Sequence, residues 1–358
     1  MILKWIFIVI LTTGTAIVSE AQKSAGETVY GFVRDSNTGE ALSDVNIFLS
    51  ETTIGTTSDD SGSFSFNPGL SGKFTIVFSH IGYEPESYTI HLNGEAGFHK
   101  YDINLSETTI GLDSIEVTAS NKEWLNDLEE FEAQLLGNSG HSDHTFIKNP
   151  WVLEFRRDKH DRLYARSRTP LDIVNRALGY NIKLDLVEFE WARVDARFMY
   201  LGRMRFEPLS VFDESIQNRW ENRRENSYKG SFEHFLQSLY HSRLHKEGFT
   251  VLRIGTRYGV KINKLSEGEL RYELLTRGIS AQNVPDVRGF RLNQVVRVEY
   301  RDPQSGSDYK TRLMKVTDEK GLLFIFPNGH LLHPKSVRVG GLWGSQRLAD
   351  RLPLDYSP

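Results

Sequence analysis

Three histidines, His234, His241 and His245, stand at i, i+7 and i+11 in the segment Ser231 to Lys246, whose apolar spacing predicts a helix. At 100° per residue they fall within about 40° of one another. His241 and His245 have the i, i+4 spacing that can hold one metal ion. Phe235, Leu236 and Leu239 pack elsewhere on the same helix, so the plainer reading is a helix face with His234 in a packing or capping role. No metal or other cofactor is assigned on this pattern. His141, Asp143 and His144 share a Gly/Ser-rich loop, and they and His330 and His333 read as solvated groups. Asp185, Glu188 and Glu190 would supply the carboxylates of a hydrolase acting on sugars. Glu188 and Glu190 alternate along an expected strand, as a solvent face does. Arg219, Arg223, Arg224 and Lys229, with Trp220 and Tyr228 among them, offer a basic surface to an anionic glycan or lipid head group. Glu221 and Glu225 within the same stretch make a salt-bridged helix surface the expected role.

No further catalytic pattern emerges. There is no Gly-x-Ser-x-Gly elbow, no Gly-x-x-x-x-Gly-Lys loop and no His-Glu-x-x-His pair. The chain has no cysteine, which removes thiol nucleophiles, disulfides and N-terminal lipidation together. No catalytic residue is assigned, and the expectation is that the chain is not an enzyme. The net charge of −4 lacks the basic excess of a nucleic-acid binder. Lys4, the apolar run Trp5 to Leu11 and the small-x-small end near Ala21 read as a cleaved secretory signal over residues 1–22. That apolar run is too short to span a bilayer, and no later segment is apolar for long enough, so no transmembrane segment is expected in the mature chain. The expected location is periplasmic or outer-membrane-associated, with secretion as an alternative.

These residues need elements to position them. At 358 residues the chain is long enough for two or three domains. Val29–Val33, Val45–Leu49, Ser63–Phe66, Phe74–Phe78, Tyr88–Leu92 and Tyr101–Leu105 are short alternating strands separated by turn residues. They predict an all-β sandwich of about seven strands over residues 28–105. Residues 106–121 read as a linker. The motif Ser50-Glu51-Thr52-Thr53-Ile54-Gly55 recurs from Ser106 to Gly111, but one pair of hexapeptides is not an architectural repeat. Residues 122–350 predict an α+β domain with a β-rich C-terminal part. Its expected helices start near Trp124, Pro170, Val211 and Ser231. Its expected strands include a pair, Tyr180–Trp191 with Arg197–Phe206, and Phe249–Ile254, Val295–Tyr300 and Leu322–Phe326.

Three ordered blocks carry a family resemblance. Gly31-Phe32-Val33 with Asp35, Thr38-Gly39-Glu40-Ala41-Leu42 and Val45-Asn46-Ile47 form the first. Gly55-Thr56-Thr57-Ser58-Asp59-Asp60-Ser61-Gly62-Ser63-Phe64 is the second, with Ser58 where the family usually has Thr. Ser79-His80-Ile81-Gly82-Tyr83 is the third. Together they resemble the carboxypeptidase regulatory-like (transthyretin-like) domain, an Ig-like sandwich that sits beside catalytic domains without supplying catalytic residues. The zinc pattern His-x-x-Glu with a distant His is absent, so the family name implies no carboxypeptidase activity here. Leu112 to Ala119 resembles the segment that follows this domain in TonB-dependent receptors of Bacteroidetes-type bacteria, but the residues after it do not read as barrel strands, so such a receptor is not expected. Phe131–Gly137, Asn149-Pro150, Leu153–Phe155, Pro170-Leu171, Asn175, Leu178–Tyr180 and Gly230–Leu236 resemble exported Bacteroidetes-type proteins with the same front domain and no known activity.

The expected function is that of a non-catalytic exported envelope protein, its sandwich and α+β domain binding a protein or glycan. Two alternatives stand beside it: a hydrolase or carbohydrate-active enzyme with its site in the α+β domain, and an accessory to a TonB-dependent uptake system. The sequence assigns no nucleic-acid partner and no oligomeric state.

Overall fold

The computed structural model describes residues 26–108, 122–254, 262–264, 287–292, 295–306 and 310–358. The signal at 1–22 and most of the linker at 106–121 lie outside the described residues. The first seven strands are β1 (Thr28–Asp35), β2 (Asn46–Leu49), β3 (Gly55–Thr57), β4 (Ser63–Phe66), β5 (Gly72–Ser79), β6 (Glu86–Leu92) and β7 (Phe98–Leu105). They form two sheets, ordered β4-β1-β7 and β3-β2-β5-β6. Alternate residues of both turn inward, and Val29, Val33, Ile47, Leu49, Phe74, Ile76 and Phe78 close the core between them.

The family-like residues are explained inside this sandwich. Asp59 accepts hydrogen bonds from the Ser61 and Ser63 backbone amides and from the Ser61 hydroxyl, which fixes the β3–β4 turn. Ser58 is buried and bridges the Leu42 carbonyl and the Val45 amide through its Oγ. A hydroxyl is what the position requires, so Ser serves where Thr is usual. Tyr83 Oη donates to Asp35 at 2.8 Å, tying the third block to the first. That bond to Asp35 pushes the Tyr83 hydroxyl up to about 12. Gly31 lies where a Cβ would stand 1.7 Å from the Tyr101 carbonyl oxygen, in the middle of the parallel β1–β7 pairing.

The region after the linker holds two cores. Helix α1 (Lys122–Leu136) places Phe131, Leu135 and Leu136 on a six-stranded sheet. Its strands are β8 (Thr145–Ile147), β9 (Leu153–Arg157), β10 (Leu163–Ser167), β11 (Leu171–Asn175), β12 (Tyr180–Ala192) and β13 (Arg197–Pro208). The long β12–β13 hairpin runs through this sheet. One edge of β12 carries β11 at Tyr180–Leu184 and β10 at Phe189–Trp191, and β13 lines the other edge. Between these partners the register shifts at Val187. Leu184 and Leu186 point inward before the bulge and Phe189 after it, so one extra residue restores the buried phase. Phe189 then meets Phe131 at a ring distance of 4.7 Å.

Helices α2 (Glu214–Tyr228) and α3 (Phe232–Tyr240) lead to the third core. Asp213 caps α2 by accepting the Ser215 amide, and Ser231 caps α3 by accepting the His234 amide. Five antiparallel strands follow in the order β15-β14-β17-β18-β20: β14 is Phe249–Ile254, β15 Ile262–Lys264, β17 Val296–Tyr300, β18 Arg312–Val316 and β20 Val337–Gly341. β16 (Arg288–Arg291) pairs with β19 (Leu322–Ile325) beside them. Phe235, Leu236 and Leu239 of α3 pack onto Val298, Met314 and Trp343. Among the described residues, no helix is long and apolar enough to cross a membrane.

Two expected helices differ. The segment after Pro170 is strand β11, because Ile173 and Val174 are β-branched and bury between β8 and β12. The helix expected to reach Lys246 ends at Tyr240. Ser242 takes a positive φ of 55°, and the turn it makes lets Leu244 enter the core.

The sandwich is expected to be sensitive at Gly31. Gly31→Ala forces a side chain into the Tyr101 carbonyl, and a loss of about 3 kcal/mol is expected. Denaturant unfolding of the full chain, followed by fluorescence, measures it. A change below about 0.5 kcal/mol would refute the close approach.

Candidate functional site

The segment from Trp343 to Tyr356 shapes the site. Trp343 belongs to the third core and Leu348 to the second, and Leu354 packs against the sandwich. Along its path Asn175 donates to the Ala349 carbonyl and the Leu354 amide donates to the Glu51 carbonyl. Asp355 accepts from the Thr53 amide at 2.9 Å. The β2–β3 turn of the sandwich, Ser50 to Thr53, thus docks on this segment and on β13, where the Glu51 amide meets the Met204 carbonyl. Glu51 takes a left-handed φ of 68° and accepts a charge-assisted hydrogen bond from Arg351. His330 lies 3.9 Å from the same carboxylate and its Nδ1 meets the Lys73 carbonyl at 2.9 Å. Burial pushes the Glu51 carboxyl up, but Arg351, with His330, more than offsets this and holds it at about 2.

Beside this junction a cleft of about 1120 Å³ opens between the far end of the β12–β13 hairpin, α2–α3 and the 343–356 segment. Aromatic groups from all three walls line it: Phe198 and Tyr200 from β13, Tyr228 and Phe232 from the helices, and Tyr356. Arg347 lies over the Phe198 ring at 4.5 Å. Burial pushes the Arg347 guanidinium below its ordinary range. Arg351 donates to Tyr200 Oη at 2.9 Å. Glu188 and Glu190 face the cleft, as does Ser227, whose buried Oγ has no hydrogen-bond partner among the described residues.

The residues singled out by sequence fall into place unevenly. His234, His241 and His245 share no helical face, because α3 stops before His241. His234 is buried, stacked on Tyr228 at 4.7 Å, and its Nδ1 accepts the Gly230 amide. Burial holds its pKa at about 4, so the ring is neutral at pH 7. His241 meets the Pro327 carbonyl through Nε2, and His245 is exposed in the turn that follows. Among the described residues, no cluster of three or more potential metal ligands forms. His141 departs from the solvated reading: its Nδ1 lies 3.0 Å from Asp350, which fastens its loop to the 343–356 segment. Asp143, His144 and His333 are exposed.

The basic stretch is structural for the most part. Arg223 and Arg224 donate to the carbonyls of Ala177, Leu178 and Gly179, and Trp220 to that of Arg176, so α2 is clamped to the β11–β12 turn. Lys229 pairs with Glu225 and Asp302, while Arg219 and Glu221 remain exposed. Asp185 is taken up by Arg203, and Glu190 by Arg197 and Arg162. The sequence reading missed Glu51, Phe198, Tyr200, Ser227, Arg347 and Arg351. They lie up to 300 residues apart in the chain, as the Glu51–Arg351 bond shows, and no local spacing marks them.

Comparison with known proteins bears on the front of the chain. The CarboxypepD_reg-like domain family matches residues 29–117. The chain carries a CarboxypepD_reg-like domain. No curated protein matches. Among solved structures, the chain is similar to a type II cohesin–X-dockerin complex from Acetivibrio cellulolyticus. That match has 18% identity over 22% of this chain and 53% of that one, at a TM-score of 0.18. The chain thus spans about half the length of that relative. It is also similar to a DUF3823 family protein from Bacteroides ovatus, with 13% identity over 52% of this chain and 82% of that one, TM-score 0.18. A third likeness is to a Bacteroides uniformis protein described provisionally as carbohydrate binding, with 8% identity, 88% and 99% coverage, and TM-score 0.19. At these TM-scores the three likenesses add no argument about function. The CarboxypepD_reg-like domain itself contributes Glu51 to the junction and no residue to the cleft lining.

The junction is expected to be acid-labile. The folded Glu51 carboxyl sits near 2, below its ordinary 4.5, so its contribution is full above pH 4.5 and fades as pH falls toward 2. Glu51→Gln leaves the Arg351 charge partly buried and is expected to cost about 2 kcal/mol at pH 7. The variant is also expected to show a shallower stability loss between pH 4.5 and 2 than the parent chain. Thermal unfolding across that range measures both, and identical acid limbs would refute the role given to this pair.

Proposed function

We propose that this chain is a non-catalytic exported envelope protein that binds a glycan in the cleft between its second and third cores. The observation that carries the reading is the cleft itself. It is open, about 1120 Å³ in volume, and lined by aromatic rings beside charged groups. Sugar rings are recognised in this way, an apolar face against an aromatic ring and hydroxyls against polar side chains. The front sandwich then acts as a scaffold, docked through Glu51 and holding the 343–356 segment that forms one wall.

The absence of catalysis is part of the proposal. Sugar hydrolysis requires two carboxylates, one of them free to give a proton, on opposite sides of the scissile bond. Glu190 is engaged by Arg197 and Arg162, and Asp350 by His141 and the Arg347 amide. Glu188 is left beside them without an ion pair among the described residues. The signal-like N-terminus supports export and a site of action at the cell envelope.

Calorimetry with soluble oligosaccharides, alongside an assay for released reducing ends, tests this. Binding without hydrolysis is expected. Phe198→Leu keeps an apolar side chain against the second core but removes the ring, and about a tenfold loss of affinity is expected. Steady release of reducing ends that Glu188→Gln abolishes would replace this reading with an enzymatic one.

A further inference from the structure

The outer edge of β13 already accepts an extended segment from within the chain. Thr52 of the sandwich bridges Arg205 in a parallel sense. The Glu51 amide donates to the Met204 carbonyl, and the Phe206 amide to the Thr52 carbonyl. At Met204 and Phe206 the backbone groups of β13 therefore turn away from β12. Such groups alternate along a strand, so those of Gly202, Tyr200 and Phe198 also turn outward. Among the described residues, no backbone group takes them up.

This open stretch borders the cleft. Side chains of a strand alternate between its two faces, yet every residue from Ala196 to Leu201 lines the cleft. A consecutive run borders one space when the edge of the strand is turned toward it. β20 borders the cleft too, through Val337, Arg338 and Val339. Its edge is covered by the turn that follows: a Cβ at Gly344 would stand 3.4 Å from the Val339 carbonyl oxygen. The edge of β13 is the open one, and an unpaired edge is a template for an extended peptide, whose backbone supplies the missing donors and acceptors. The charges agree. Glu188, Asp195 and Glu233 line the cleft without an ion pair among the described residues, and so do Lys335, Arg338 and Arg347. Unpaired groups of both signs suit a peptide bearing both better than a polyanion or a polycation.

We infer that the cleft binds a glycosylated segment of another exported protein, its extended backbone added to the edge of β13 from Phe198 to Gly202 and its sugar set against the aromatic walls. This rests on the glycan-binding reading and names what carries the glycan, a peptide rather than a free polysaccharide. The Thr52 segment holds the edge from Met204 onward. The added strand is therefore short, about five residues or roughly 17 Å. Strand pairing reads backbone and not side chains, so the peptide supplies affinity and the sugar supplies selectivity.

The test uses the full, unaltered chain, so it does not depend on the folding of a variant. The probe is a short peptide containing Lys and Glu, with an O-linked disaccharide on its central Thr. Its controls are the bare peptide, the free disaccharide, and two glycopeptides N-methylated at alternate residues, one in each phase. By calorimetry the glycopeptide is expected to bind at least tenfold more tightly than the bare peptide or the free disaccharide. A strand added to one edge uses only every second N–H, so one N-methylated isomer is expected to lose tenfold or more and the other little. Hydrogen exchange is expected to slow at the amides of Phe198, Tyr200 and Gly202 when the glycopeptide binds. An equal response to the two isomers, or a free disaccharide as tight as the glycopeptide, would overturn this inference and leave the glycan reading intact. A bare peptide as tight as the glycopeptide would overturn both, as would binding of none of the probes.

Discussion

One stretch of about a dozen residues must satisfy three hydrophobic cores at once. Trp343 fills the third core, Leu348 is 1% exposed in the second, and Leu354 covers the first. Each side chain removed from water contributes on the order of 2 kcal/mol, so the segment adds an apolar link between three units that also meet directly, as in the Met204–Ser50 and Asn328–Lys73 bonds. Its polar groups add direction to that apolar hold. Glu51, Arg351, Asp355 and the Thr53 amide fix which turn of the sandwich meets the segment and in what register.

The cleft follows from this constraint. The segment crosses from the third sheet to the sandwich along β13, and the space between it, the turn end of the β12–β13 hairpin and α2–α3 is the channel. The hairpin end is presented there because the Val187 bulge restores the inward phase of Phe189. Glu188 and Glu190, two residues apart, consequently share the outer face and both border the channel. Without the extra residue, the Phe189 ring would point to solvent and the carboxylates into the core.

Two arginines four residues apart show how context decides the role of a charge. Arg351 reaches Glu51 and stabilises the junction. Arg347 meets only carbonyls and a ring. Both carry the same side chain on the same segment. The difference is which neighbour the fold brings: a turn of the sandwich for one, the edge of the hairpin for the other.

Local chemistry was legible in the sequence wherever a residue acts on its own neighbourhood. The strand alternation of the sandwich, the start of a helix near Ser231 and the β12–β13 pairing could be read because each depends on residues within a few positions or on a period of two. The helix expected after Pro170 was misread because β11 is stabilised by strands on either side of it, and the helix beyond Tyr240 because Leu244 is drawn into a core. Glu51 looked like part of a coincidental hexapeptide, and Arg347 and Phe198 carried no pattern at all. Their roles arise from contacts across 150 to 300 residues, as in the Met204–Ser50 and Arg351–Glu51 bonds. Such contacts depend on how the cores pack together, and only the tertiary structure decides that.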